Sequence, residues 1–510
     1  MTLTNYQRSS EGYRLIFSLL VWVLWVGACQ CVLGADAPPI ELVVDTSQSQ
    51  GSIDLTRYAL GQGGFSYEPM IDGVIPQITQ LHPQTIRLFV MEFFNIYPRH
   101  NEYYYVSFDK AVKAIRATGA KPILCICLKP KVLFPKVDQK VVFPSSWEEW
   151  ESLIEHLVTH CAASHLDIGY WEVGNEVNIG EPGGGPYLFQ PQDYLTYYTH
   201  TVTAIRRADP LAKVGGPTLA TWDHGPLLGE DNPILEALID HCGKGNAPLD
   251  FISWHLYDSH PELFRKEIRE VRAMLAKYDS LKNVETILDE WNMSLGNPVM
   301  DPYFQPAFVL ETTYGFFEEG LSRSGYYHIR DWFFDPKLFT FLSQKGIDSN
   351  DHFFNVLPTY LGLFDTEGRM RPAYYALKML SLMKGEKLAI GGTGTEVKGF
   401  AARSQAWVHV VFWNYPQGEG QTYEATVSFP HEKTGSFQLI RLDPESPINN
   451  LKIIRSESVK RLDQAPLHVT LHPYEIYWVG LASRESENCR PGCVNYGVDC
   501  AVSFDSILRP

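Results

Sequence analysis

Between Tyr58 and Asp331, short apolar runs alternate with longer stretches whose apolar positions recur every three or four residues. The short runs are Tyr58–Gly63, Thr85–Val90, Pro122–Cys127, Gly169–Gly174, Ala212–Pro217, Asp250–Trp254, Glu285–Leu288 and Gly325–Ile329. Each is four to six residues long, and each predicts a strand. Between them, Asp109–Thr118, Trp147–Ser164, Pro191–Ala208, Pro233–Cys242, Pro261–Tyr278 and Pro306–Glu319 carry helical spacing. Eight strands separated by helices in about this length of chain predict an α/β fold of the (β/α)8 barrel type. A doubly wound open sheet also alternates, but no Gly-x-Gly-x-x-Gly turn follows the first strand.

A last helical pattern, Tyr374–Lys384, closes this region, and the texture then changes. From about Leu388 to Leu481, runs such as AWVHVVFWN, YEATVSF, LHVTL and EIYWVGL alternate apolar and polar positions with turn residues between them. That pattern predicts an accessory all-β domain of the β-sandwich type, to which the early run Ile40–Asp45 has the texture to add a strand. At the amino terminus Arg8 and Arg14 precede the apolar run Leu15–Val26, and small residues follow at Gly34-Ala35-Asp36-Ala37. Basic, then apolar, then small is the order of an export signal, too short and interrupted for a membrane span. Cleavage after Ala37 is one reading. Lipidation of Cys29 in the lipoprotein-like Val26-Gly27-Ala28-Cys29 is the other, and it is the one route by which a membrane would become a partner. The expected organisation is therefore a signal at 1–37, a barrel at 38–384, a sandwich at 385–483 and a cysteine-containing tail at 484–510.

Composition narrows the functions available. The chain of 510 residues has 43 Lys and Arg against 59 Asp and Glu, a formal net charge of −16. So acidic a surface repels phosphate backbones and argues against nucleic acid as a partner. The 27 Tyr, 27 Phe and 12 Trp exclude intrinsic disorder and suit stacking on sugar faces, although most aromatic rings in any protein are core. Of the nine cysteines, Cys161 and Cys242 stand alone and the other seven fall into three groups. Cys29 and Cys31 lie in the leader, while Cys125 and Cys127 in ILCICL read as small core residues. The tail cysteines Cys489, Cys493 and Cys500 suit a disulfide in an oxidising compartment, whereas zinc would lack a clear fourth ligand there.

In a barrel the reacting groups sit where strands end, at the carboxyl face. Two carboxylates occupy such positions: Glu176 in YWEVGNE after the fourth strand, and Glu290 in TILDEWN after the seventh. Two carboxyl groups about 5 Å apart across a barrel mouth suit retaining glycoside hydrolysis. Glu172 shares a face with Glu176 by strand alternation, so it is expected to point into the barrel and to be paired there. Asp289, next to Glu290, is expected on the opposite face, away from any sugar. The sequence Glu181-Pro182-Gly183-Gly184-Gly185 has the composition of a mobile rim loop. Neither a Gly-x-Ser-x-Gly elbow nor a His-Glu-x-x-His helix occurs.

These stretches resemble clan A of the glycoside hydrolases, and within it the chain is most similar to family 39, the β-xylosidase and α-L-iduronidase group. The resemblance rests on YWEVGNEVN (Tyr170–Asn178), KVGGPTLA (Lys213–Ala220), DFISWHLYD (Asp250–Asp258), ILDEWNMS (Ile287–Ser294) and RPAYYALKML (Arg371–Leu380). It implies a retaining glycosidase with Glu176 as acid/base and Glu290 as nucleophile. Asn175 would bond the sugar 2-hydroxyl, and Arg87 would keep Glu290 ionised. His255 and Tyr257 would hold the nucleophile and line the sugar subsite, and Trp332 would offer a sugar platform. The expected substrate is an oligosaccharide or glycoside, with neither metal nor organic cofactor required. Val177 stands where family 39 often has Pro, and YWEVGNE and DEWN also resemble families 51 and 79 of the same clan. Arabinofuranosidase, glucuronidase or iduronidase activity therefore stays open beside β-xylosidase. A catalytically silent carbohydrate-binding protein is the expectation from another class.

Overall fold

The eight apolar runs form eight parallel strands that close into a barrel. This is seen in a computed structural model that describes residues 38–482, apart from 62–63, 65, 221–232, 296–301, 358–360, 405–406, 419, 433–434, 444–450 and 460–461. The expected export signal and the cysteine tail lie outside the described residues. A first strand, β1 (Pro39–Asp54), precedes the barrel strands β2 (Tyr58–Gly61), β3 (Thr85–Val90), β4 (Lys121–Ile126) and β5 (Tyr170–Val173). The barrel continues with β6 (Val214–Leu219), β7 (Phe251–Tyr257), β8 (Glu285–Asn292) and β9 (Arg323–Tyr327), and β9 pairs back onto β2. Every residue of β3 is buried, because its inner side chains fill the barrel and helices cover its outer face.

Nine α-helices occur among the described residues: α1 (Ile75–Thr79), α2 (Val106–Ala117), α3 (Trp147–Ala163), α4 (Pro191–Ala208), α5 (Ile234–Gly243), α6 (Pro261–Leu275), α7 (Phe304–Glu318), α8 (Gln344–Asp351) and α9 (Pro372–Ser381). α3 shows why the pattern was legible. Ser146 caps its first turn by accepting from the Glu149 amide at 3.2 Å, and Glu148 and Glu149 sit at the positive end of the helix dipole. Its buried side chains Trp150, Leu153, Ile154, Leu157, Val158 and Cys161 recur at helical spacing and face the barrel. Cys125, Cys127, Cys161 and Cys242 are all buried free thiols.

The carboxyl-terminal strands form a single nine-stranded sheet with β1 built into it. Its order is β15-β14-β17-β12-β11-β10-β1-β13-β16, drawn from β10 (Lys384–Gly391), β11 (Val397–Ser404), β12 (Trp407–Asn414), β13 (Tyr423–Ser428), β14 (Gly435–Leu442), β15 (Leu451–Val459), β16 (Leu467–Leu471) and β17 (Ile476–Ala482). The expected sandwich is thus one sheet rolled over, since Val427 and Leu471 from one end share a core with Phe437 and Val479 from near the other. The early strand is also longer than the run Ile40–Asp45, and residues up to Asp54 belong to this sheet, not to the barrel. Alternation decides what each face does. On β12, Val408, Val410 and Phe412 enter the sheet's own core, while Val411 and Trp413 join the barrel's core.

Candidate active site

The mouth of the barrel holds a cavity of about 640 Å³ whose lining includes Asn175, Glu176, Tyr257, Glu290 and Tyr327. Glu176 arrives there because β5 stops at Val173 and the chain turns tightly. Its own φ is +46°, a left-handed conformation that costs a non-glycine residue on the order of 1 kcal/mol and is held in place by its surroundings. Here the Glu176 amide donates to the Thr218 carbonyl at 2.8 Å, which locks the turn onto the end of β6. Gly183 then returns so close that a Cβ on it would lie 1.7 Å from Glu176 Oε2 and 2.8 Å from Glu176 Cβ, so a side chain there would displace the acid.

Glu290 enters from β8 through a bulge. β7 and β8 pair Trp254 with Leu288 and then His255 with Glu290, so Asp289 is the extra residue. The bulge overturns the expectation that Asp289 faces away. Asp289 Oδ2 lies 3.0 Å from Arg87 Nε and 3.3 Å from His255 Nε2, inside the barrel beside Glu290. Period-two alternation fails there because an extra residue turns two successive side chains to one side. The Asp289 carbonyl needs room as well, since a Cβ on Gly325 would stand 2.3 Å from it.

Arg87 is fully buried and organises the acids around it. Nε meets Glu172 Oε2 at 2.6 Å, Nη1 donates to Glu290 Oε1 at 2.6 Å, and Nη2 donates to Asn175 Oδ1 at 2.9 Å. Glu172 is therefore paired inside the barrel, as its position required. Cys125, read from sequence as core alone, also supports the guanidinium, with Sγ 3.0 Å from Nη2. Tyr257 donates its hydroxyl to Glu290 Oε2 at 2.7 Å, so both oxygens of that carboxylate are held. His255 Nδ1 lies 3.1 Å from Glu176 Oε1 and 3.5 Å from Glu290 Oε2.

Protonation follows from burial and charge. Burial raises the Glu176 pKa, and the neighbouring charge of Glu290 adds to that rise while His255 works against it. Burial also pushes Glu172 up to about 8 despite Arg87. Burial alone would lower His255, but Glu290 and Asp289 overcome it and hold the ring as an imidazolium. Asp289 is driven the other way: Arg87 and His255 outweigh burial and keep it ionised. Arg87 and His255 thus bring two positive charges into a cluster of four carboxyl groups, in which burial favours the protonated form of Glu172 and Glu176 while the two cations keep Asp289 ionised. The ligand atoms of Glu176, His255 and Glu290 lie within 4.8 Å of one another, close enough to surround a metal ion. An imidazolium has no lone pair to offer one, and its contacts with Glu176, Asp289 and Glu290 account for the spacing.

Two expectations come out differently. Trp332 does not line the cavity; it packs behind Phe354, ring centroids 4.5 Å apart, and Phe353 and Phe354 form the wall. The Gly-rich segment after Glu176 is not a loose rim. Its Glu181 is buried, accepts from the Ser343 amide at 2.8 Å and receives Asn350 on its carbonyl at 2.9 Å. Tyr327, Phe89, Phe353 and Phe354 were missed. Phe89 was readable in principle, two residues after Arg87 and so on its face of β3. Nothing in the sequence signals the other three.

Two curated β-xylosidases are similar in sequence. That of Caldicellulosiruptor saccharolyticus is 25% identical over 313 residues, 56% of this chain and 58% of its own length. That of Geobacillus stearothermophilus is 23% identical over 364 residues, 64% of this chain and 65% of its own. The match thus spans less than two thirds of either relative. The solved family 39 enzyme of Xanthomonas axonopodis pv. citri has the same fold, with a TM-score of 0.70 at 17% identity over 88% of this chain and 98% of that one. Residues 90–415, well over half of the sequence, match the profile of Glycosyl hydrolases family 39, and the chain belongs to that family.

Proposed function

We propose that the protein is a retaining, β-xylosidase-like glycoside hydrolase. The observation that carries this is the pair Glu176 and Glu290, whose facing carboxyl atoms lie within 4.8 Å. That separation leaves no room for a water between acid and base, as inversion needs, and suits direct attack by one carboxylate. Glu290, both of whose carboxylate oxygens are held by Arg87 and Tyr257, attacks the anomeric carbon while the bond to the leaving oxygen breaks. Glu176, kept protonated by burial, gives its proton to that oxygen. In the second half Glu176 takes a proton from water, the water oxygen bonds the anomeric carbon, and Glu290 departs. Asn175 is fixed by Arg87 and donates to the Gly183 carbonyl at 3.2 Å, a placement that suits the 2-hydroxyl contact its resemblance implies. The names of the two curated relatives support xylose as the glycone. No Lys or Arg is among the described residues lining the cavity, which weighs against a uronate. The basic, apolar and small order of the amino terminus supports export.

A panel of 4-nitrophenyl glycosides assayed on wild type and Glu290→Ala tests the reading. Wild type should release nitrophenol from the β-xyloside with retained configuration, and Glu290→Ala should lose at least about a thousandfold in kcat. A variant within tenfold of wild type would remove Glu290 from the chemistry, and binding without turnover on every glycoside would favour a carbohydrate-binding protein.

A further inference from the structure

The proton donor stands beside the oxygen that leaves, so the aglycone occupies the side of the cavity next to Glu176. This step rests on the glycosidase reading above. Two segments build that side. The turn after Glu176 contributes Ile179 and Pro182, and the single π-turn His352–Val356 that continues α8 contributes Phe353 and Phe354. They are fastened to each other through Glu181, which accepts from Ser343 through its side chain and from Asn350 through its carbonyl. Phe353 and Phe354 meet edge to face with centroids 4.8 Å apart, and Trp332 backs the second ring. The wall is therefore supported from behind and apolar in front.

Among the described residues of this wall the one polar side chain is Asn350, and both of its amide protons are already used. They go to the Glu181 carbonyl at 2.9 Å and the Gly346 carbonyl at 2.8 Å. A second sugar arriving here would give up water for its hydroxyls and meet no free side-chain donor among the described residues of this wall. An apolar group loses no hydrogen bond and gains from leaving water. Exposed apolar side chains also stand at the end of the π-turn and on the stretch after β9: Val356 is 64% exposed, Leu357 41% and Phe333 72%. Asn355 joins those segments, donating to the Phe334 carbonyl at 2.8 Å and accepting from its amide at 2.9 Å. The volume of about 640 Å³ is that of a site for a drug-sized ligand, larger than one sugar ring requires.

We propose that the leaving-group side of this site takes an apolar aglycone, alkyl or aryl, in place of a second sugar. The test compares the methyl β-glycoside, the octyl β-glycoside and the β-1,4-linked disaccharide of whichever sugar wild type releases fastest from the nitrophenyl panel. Methanol and octanol are similarly basic leaving groups, so their difference reads contacts with the chain. The octyl glycoside should exceed the methyl in kcat/KM by about tenfold or more, which burial of two of its seven extra methylenes supplies. It should also exceed the disaccharide. Replacing both Phe353 and Phe354 by Ala should cut the octyl-to-methyl ratio at least about fivefold, and the wild-type comparison stands alone if that variant fails to fold. An octyl-to-methyl ratio under ten, or a disaccharide cleaved faster than the octyl glycoside, overturns the assignment and leaves the glycosidase reading intact. Failure to cleave any nitrophenyl glycoside overturns both.

Discussion

Arg87 makes the site's two acids different from each other. Its Nη1 reaches Glu290 directly, whereas Glu176 has only the imidazolium of His255 as a hydrogen-bonded cation. A carboxylate paired with a buried guanidinium stays ionised, while one that burial pushes upward keeps its proton to higher pH. The raised pKa of Glu176 should place the basic limb of the kcat/KM profile above the ordinary glutamic acid range. Glu176→Ala should abolish that limb and slow hydrolysis of alkyl glycosides by at least about a thousandfold. Azide should restore turnover on a 2,4-dinitrophenyl glycoside, whose leaving group needs no proton, and should yield a β-glycosyl azide. Product analysis by NMR checks it: an azide product of α configuration, or unchanged alkyl-glycoside hydrolysis, would assign the proton to another group. Glu176 and Glu290 could be read from sequence because strand ends in a barrel are few, and Asn175 through the family resemblance. The charge ledger could not, because it depends on Asp289 being inside with the others.

At the scale of elements, the bulge in β8 decides that ledger. A regular strand would bury Glu290 and turn Asp289 outward; the extra residue delivers both to Arg87 and His255. Room for the displaced Asp289 carbonyl comes from Gly325 on the neighbouring β9. Gly325→Ala would drive a Cβ to within 2.3 Å of that backbone oxygen, so β8 must shift. Because a displacement of about 1 Å at reacting groups costs on the order of a hundredfold, kcat should fall tenfold to a hundredfold with a lowered Tm. Gly394→Ala, with nothing within 4 Å of the added Cβ, should change neither. Equal kinetics for the two variants would show that the bulge tolerates movement. The barrel strands were legible because each is an apolar run of fixed texture, but a bulge leaves no mark on an alternation only eight residues long. α8 was invisible for another reason. QKGIDSND carries no apolar stripe, and the helix is held by the Ser343 cap and by Asn350 and Glu181.

For the whole molecule, the rolled sheet acts as a brace on the barrel. It covers α7, which is why that helix is buried on nearly all sides and shows no single apolar face in sequence. Lys398 from β11 pairs with Glu311 of α7, and Trp413 from β12 donates to the same carboxylate at 2.9 Å. Phe400 and Trp413 flank Tyr314, with ring centroids 5.3 and 5.9 Å from it. His409 lies on this barrel-facing side of β12, 3% exposed and stacked on Trp478, and burial pushes its pKa down to about 4. The ordinary value is 6.5, so between the two the unfolded chain binds a proton that the folded chain refuses. Stability from this residue is complete above about pH 6.5, declines as pH falls, and levels off below about pH 4. The full gap corresponds to about 3 kcal/mol. His409→Phe keeps a ring between the two domains and has nothing to protonate. Urea unfolding at pH 7 and pH 4.5 should show wild type losing about 2–3 kcal/mol more than the variant. Parallel losses would mean that His409 is protonated in the folded state, and the seam would then be wetter than its packing indicates.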